Sequence, residues 1–202
     1  MPVQIDFTAL VTFVVVSVSA YMYIQQHYPS QSRLEYAFAG SIAMGLTILA
    51  LIAHELAHAV MAFLFNVEVT KVGVTWWGAY VQTAGSMVDI PPIQEVLIAA
   101  SGPTTNLAIA AVATLIVYVF GESLFENAIQ YVAYINIVMG RINFLPIIFL
   151  DGGKVLDGLV RMTGLNGEAR AAANLIITIA ILYWYFFRRD SKKSLETRLK
   201  NL

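Results

Sequence analysis

Long runs without a single charged residue are what most constrain this chain. Residues 7 to 32, 36 to 53, 96 to 121 and 171 to 187 contain no Asp, Glu, Lys or Arg, and residues 127 to 150 contain only Arg141. A helix needs about 20 mostly apolar residues to cross a bilayer core, so each run is long enough to be a span. The composition agrees: 58% of the 202 residues are hydrophobic, 12% are charged, and the mean hydropathy is +0.70. A soluble domain of this length carries about twice that charge. The first run could be mistaken for a secretory signal, but no basic residue precedes it and no small-residue cleavage pattern follows, so it reads as a span.

The expectation is an all-α polytopic membrane protein forming one domain, with five spans near residues 8–27, 35–65, 93–120, 125–150 and 171–187. A sixth segment around residues 152–165 is the alternative count. Residues 67–88 differ in texture. They are rich in Val, Thr, Trp, Tyr and Gly, and they read as a small β-hairpin or sheet inserted after the second helix. Trp76, Trp77 and Tyr80 fit aromatic anchors at the headgroup level. Basic residues do not decide the orientation: Lys71, Arg141, Lys154, Arg161 and Arg170 fall on one side, Arg33 and the six in the tail on the other.

The chemistry is concentrated in LIAHELAHAV. His54 and His58 are four residues apart, so on a helix their imidazoles share one face and can hold one metal ion. Glu55 follows the first histidine, where its carboxylate can reach a water at the ion without ligating the ion itself. Three ionisable groups at membrane depth are expensive, at roughly 2.5 to 3.5 kcal/mol for each charged residue, and a purely structural role does not offset that. The chain has no cysteine, which excludes thiolate ligation and disulfides. A catalytic zinc normally takes three protein ligands, and His27 lies on another span, so the third should be a carboxylate. Asp151 ends an apolar run and precedes two glycines that let the backbone turn it inward. From local sequence alone, Glu95, Asp157 and Glu168 remain rivals.

HELAH in one span, SGPTTN in the next and NFLPIIFLDGG ending a third, in that order over residues 50 to 155, together resemble the site-2 protease family of intramembrane metalloproteases. The resemblance implies that His54, His58 and Asp151 bind Zn2+ and that Glu55 is the catalytic base. It implies that Asn143 holds the substrate backbone, and it matches Asn106 to the Asn of the family's G-P-x-x-N element. Asn106, Asn136 and Asn143 become candidate substrate contacts, since amides at membrane depth can replace hydrogen bonds lost by an unwound substrate helix. The implied partners are transmembrane-helix proteins in the lipid bilayer, cut by regulated intramembrane proteolysis near the cytosolic face of the cell membrane. Nothing points to nucleic acid, and the sequence does not specify an oligomeric state. The resemblance is to a minimal form of the family, without the PDZ or CBS domain that some members carry. The competing class is a non-proteolytic metal-binding membrane protein, a carrier or a helix-binding scaffold. A carrier would show internal repeats and ionisable groups strung along a path, whereas here there is one compact cluster. Arg141, charged within the fourth span, reads as a residue that snorkels to the surface or neutralises a carboxylate near the site, and the basic tail from Arg188 to Lys200 is assigned no catalytic role.

Overall fold

The computed structural model of the chain describes residues 3–5, 9–29, 32–75, 78–83, 85, 89–121 and 126–199. In chain order these form β1 (Val3–Ile5), α1 (Ala9–His27), α2 (Arg33–Leu64), β2 (Val69–Thr75), β3 (Gly78–Thr83), α3 (Pro92–Phe120), α4 (Glu126–Asn143), α5 (Asp151–Arg161) and α6 (Gly167–Leu199).

Local signals set the ends of α2, the helix that carries the histidine pair. Ser32 and Glu35 make a reciprocal capping box, with Ser32 N donating to Glu35 Oε2 at 2.6 Å and Glu35 N to Ser32 Oγ at 3.3 Å. At the other end Asn66 takes a left-handed backbone, φ 59°. Asn66 N then donates to Phe63 O and Val67 N to Ala62 O, the paired bonds that turn a chain sharply out of a helix. That turn delivers the chain to β2. The sheet has the order β1-β2-β3, with β1 parallel to β2 (Val3 opposite Val72) and β3 antiparallel to it (Thr75 opposite Gly78), leaving the outer edge of β3 unpaired among the described residues. The expected insertion is therefore present, joined by a short N-terminal strand that three residues could not announce in the sequence. Trp76 and Trp77 lie outside the described residues, as does the side chain of Tyr80.

The helices meet through small side chains. Ala20, Ala39, Ala43 and Ala128 are fully buried with Ile24, and Tyr36 and Tyr131 fill the space between them. Ser19 and Tyr131 share a hydrogen bond of 2.6 Å that ties α1 to α4. The interior is unusually polar: Thr47, His54, Glu55, His58, Glu95, Asn106, Asn127, Asn136, Asp151, Asn174 and Thr178 are all buried. The exterior is apolar, with Val14, Val15 and Met22 exposed on α1, Leu49, Val60 and Phe63 on α2, and Val112, Leu115 and Val119 on α3.

The five-helix count is corrected: six helices lie among the described residues. Two helices among the described residues, α2 and α3, are long and apolar enough to cross a membrane by length and composition. The run 125–150 is not one helix: α4 stops at Asn143, residues 144–150 form a non-helical loop, and α5 begins at Asp151. Pro146 explains the break, since it lacks an N–H and disfavours helical geometry in the residue before it. The alternative sixth segment corresponds to α5, whose 11 residues are too short to span a bilayer.

Candidate metal centre

Three side chains converge where α2 passes α3 and the start of α5. His54 and His58 stand one turn apart with their rings nearly perpendicular, and their Nε2 atoms are 3.1 Å from each other. Asp151 Oδ2 lies 3.1 Å from His54 Nε2 and 3.3 Å from His58 Nε2. All three residues are buried, and they are the group among the described residues whose ligand atoms converge closely enough to hold a metal ion.

The triangle fits zinc. With metal–ligand bonds of about 2.0 to 2.1 Å, neighbouring ligands of a tetrahedral ion stand about 3.3 Å apart. No single proton can link three atoms so arranged, whereas one cation satisfies all of them. A second observation agrees: Gly102 of α3 faces the triangle, and a Cβ on it would come within 2.3 Å of His58 Nε2 and 2.5 Å of His54 Nε2. A methyl group there would fill the space that an ion shared by the two nitrogens requires.

The surroundings orient these donors. His58 Nδ1–H donates to the Ile98 carbonyl of α3 at 2.7 Å, which fixes the tautomer that leaves Nε2 free for the ion. Ser101 Oγ donates to the same carbonyl, also at 2.7 Å. Lys154, one turn along α5, donates to Asp151 Oδ1 at 3.2 Å and so leaves Oδ2 facing the histidines. Glu55 Oε1 is 4.0 Å from His54 Nε2, beside the triangle but not part of it.

Asp151 owes its position to close backbone packing. The loop 144–150 folds back over the first turn of α5 so tightly that a Cβ on Gly152 would lie 2.3 Å from the Leu145 carbonyl oxygen, and one on Gly153 2.2 Å from that of Ile147. Only glycines permit this approach. The far end of α5 is fastened too. Arg161 pairs with Glu95 of α3 at 2.5 Å and donates to the Ile90 carbonyl at 2.7 Å, while Asp157 meets Arg170 at 3.0 Å and Asn174 at 2.6 Å.

These contacts dispose of two of the rival carboxylates, since Glu95 and Asp157 are engaged in ion pairs outside the triangle. Glu168 is exposed at the start of α6. His27 is exposed, stacked on Tyr23. Arg141 is exposed on α4 with no carboxylate within 4.0 Å among the described residues. The expected substrate amides divide. Asn143 is half-buried at the end of α4, beside the loop that leads to Asp151. Asn106 and Asn136 are 0% exposed, so in this arrangement they offer no surface to a substrate. Gly102 and Lys154 were not anticipated as parts of the site, although the G-P pair and the spacing of three residues from Asp151 were visible.

The model of Peptidase family M50 matches residues 39–130 and 121–186. The chain belongs to Peptidase family M50. Among M50-related proteins, it is 30% identical over 125 residues to Rip3 of Mycobacterium tuberculosis, a protein named for an inferred zinc metalloprotease activity, covering 60% of this chain and 31% of Rip3. It is 24% identical over 143 residues to the zinc metalloprotease MJ0392 of Methanocaldococcus jannaschii, covering 70% of this chain and 41% of that one. The chain thus spans less than half the length of the curated M50 relatives it matches. Its fold is similar to that of the site-2 protease from M. jannaschii, with a TM-score of 0.59 and 19% identity over 96% of this chain and 83% of that chain. Zinc is the M50 cofactor on which the relatives and the donor set agree.

Proposed function

We propose that the chain is an intramembrane zinc endopeptidase that hydrolyses peptide bonds within transmembrane segments of membrane-anchored proteins. The observation that carries this reading is the buried triangle of His54, His58 and Asp151 with the Glu55 carboxylate beside it, enclosed by helices whose outer faces are apolar. Polar groups inside and exposed apolar surface outside suit a multi-pass protein in lipid. By family likeness the active site lies nearer the cytosolic side of the cell membrane.

In this reading His54, His58 and Asp151 hold the ion. Zinc there supplies a Lewis acid that makes a water acidic near neutral pH and draws electrons from the scissile carbonyl. Glu55 accepts the water's proton and delivers it to the leaving amine, a role that requires a carboxylate close to the ion but not ligated to it. Lys154 neutralises the outer oxygen of Asp151. The substrate helix must unwind before its carbonyl can be attacked, and two features can hold the released backbone. Asn143 offers a carboxamide near the site, and β3 offers a strand edge, unpaired among the described residues, to which an extended peptide can add.

The test is cleavage of a panel of single-span substrates by the purified protein in detergent, with bound metal measured for each variant. Glu55→Gln should retain zinc and lose cleavage, while Asp151→Asn should lose zinc. Zinc retention without cutting of any substrate would favour the non-proteolytic binding protein, and absence of metal from the wild type would overturn the metal centre.

A further inference from the structure

The two histidines are not supported alike. With Nε2 on a metal, the other ring nitrogen carries a proton that ligating histidines nearly always donate to a carbonyl, carboxylate or water. His58 does so to Ile98 O. His54 does not: its Nδ1 is buried with no hydrogen-bond partner. Both amide atoms of Asn106 are also buried without a partner, as is Asn136 Oδ1, while Asn136 Nδ2 is occupied by the Val132 carbonyl at 2.9 Å. A buried polar atom left unpaired is costly, so four of them on three residues call for an explanation.

Helical register brings them together. Ile98 of α3 meets His58, and Gly102, one turn later, faces the Nε2 atoms of both His58 and His54. Moving forward along α3 therefore means moving backward along α2, and the next residue on that face of α3, four beyond Gly102, is Asn106. It falls at the level of His54 and of Ala50, one turn before it. On the opposite flank, Gly140 of α4 packs against Pro103 and Leu107, and Asn136 lies one turn earlier on α4. By that register the His54 Nδ1 donor, the Asn106 carboxamide and the Asn136 carbonyl oxygen, each buried and without a partner, fall within neighbouring turns beside the metal triangle.

We infer that Asn106 is the positioning residue for His54: its carboxamide accepts the His54 Nδ1 proton through one enclosed water, which Asn136 Oδ1 also binds. The inference rests on the metal-centre reading and assigns Asn106 and Asn136 to the ligand's support, not to the substrate. A water there meets one or two donors, His54 Nδ1–H and Asn106 Nδ2, and two acceptors, Asn106 Oδ1 and Asn136 Oδ1, within the two to four partners that buried waters use. The direct bond is absent because none of these atoms pairs with another in the structure. The arrangement holds the His54 ring in the tautomer and orientation that ligation needs, and the same proton gives Asn106 a partner it otherwise lacks.

The experiment measures zinc affinity by chelator competition, and the thermal unfolding of metal-free protein, for wild type, Asn106→Leu and Asn106→Asp. Leu has the branched outline of Asn, though it is bulkier, and accepts no hydrogen bond; Asp keeps the acceptor. Losing an outer partner of a metal-bound histidine typically weakens binding about 10- to 100-fold. Asn106→Leu should therefore fall in that range while its metal-free melting temperature stays close to that of wild type, because without metal His54 is free to carry its proton on Nε2 and no longer needs the acceptor. Asn106→Asp should bind zinc at least as tightly as wild type. Wild-type affinity in Asn106→Leu would overturn the inference, as would equal losses in both variants, which would mean that packing and not proton acceptance matters. Failure of the wild type itself to bind zinc would instead sink the metal centre.

Discussion

Replacing Gly102 by alanine tests the metal centre most directly, because the added atom would occupy the space needed by the ion. The new Cβ would approach His58 Nε2 to 2.3 Å, about 1.1 Å short of the 3.4 Å at which ordinary van der Waals contact begins. In the metal-free protein the imidazoles can swing aside, and the penalty is that of mild overpacking, about 1 to 3 kcal/mol. With metal bound they cannot, since bonds of about 2.0 to 2.1 Å fix both nitrogens. The variant must then shift α3 away from α2 by roughly 1 Å or lose a ligand. Zinc affinity should fall at least 100-fold, which is about 2.8 kcal/mol at 1.4 kcal/mol per factor of ten. Equilibrium dialysis with inductively coupled plasma detection measures the metal, and thermal unfolding of the chelated protein measures what the methyl group does without it. A Gly102→Ala protein that binds one zinc with wild-type affinity would refute the placement of the ion between His54 and His58.

Three further outcomes are expected. Arg161→Met leaves the Glu95 carboxylate buried and unpaired, at an expected loss of about 3 to 5 kcal/mol in urea or thermal unfolding, and adding Glu95→Leu should recover most of it. Lys154→Met should weaken zinc binding less than about tenfold, because the lysine is half exposed and exposed pairs contribute about 0 to 1 kcal/mol; a loss as large as that of Asp151→Asn would make Lys154 more than a partner for the outer oxygen. Chelation should lower the melting temperature while leaving the helical circular dichroism intact, since zinc binds the folded state by mass action and each hundredfold excess over Kd contributes about 2.7 kcal/mol; an unchanged melting temperature would mean that no tight metal site exists.

The parts of the site that were legible in the sequence were the local ones. His54, Glu55 and His58 are fixed relative to one another by helical geometry alone, so their spacing was enough. Asp151 was harder, because four carboxylates qualified by composition, and what separates them is tertiary: Arg161 occupies Glu95, and Arg170 with Asn174 occupies Asp157. The ends of α1, α2 and α3 were close to expectation because charge-free runs and Pro91–Pro92 mark them. The fourth run failed as one helix since hydropathy does not register Pro146 or the backbone packing that Gly152 and Gly153 allow. The place of the amides was not legible for a related reason. Asn106 and Asn136 are conspicuous in apolar helices, but whether such a group faces a substrate or the interior depends on helix rotation, which single-residue conspicuousness does not encode.

The metal triangle also carries a consequence for timing. His54 and Asp151 are 97 residues apart in the chain. At about 5 to 20 residues per second, the histidine pair exists for roughly 5 to 20 seconds before its carboxylate partner is synthesised. During that interval α2 can offer an ion only two nitrogens, with Glu55 beside them and no third ligand. A nascent chain in this state holds metal weakly and lacks the complete centre. Completion waits for the loop 144–150 to pack over the start of α5, so the backbone packing around two glycines is what brings the third ligand to the other two.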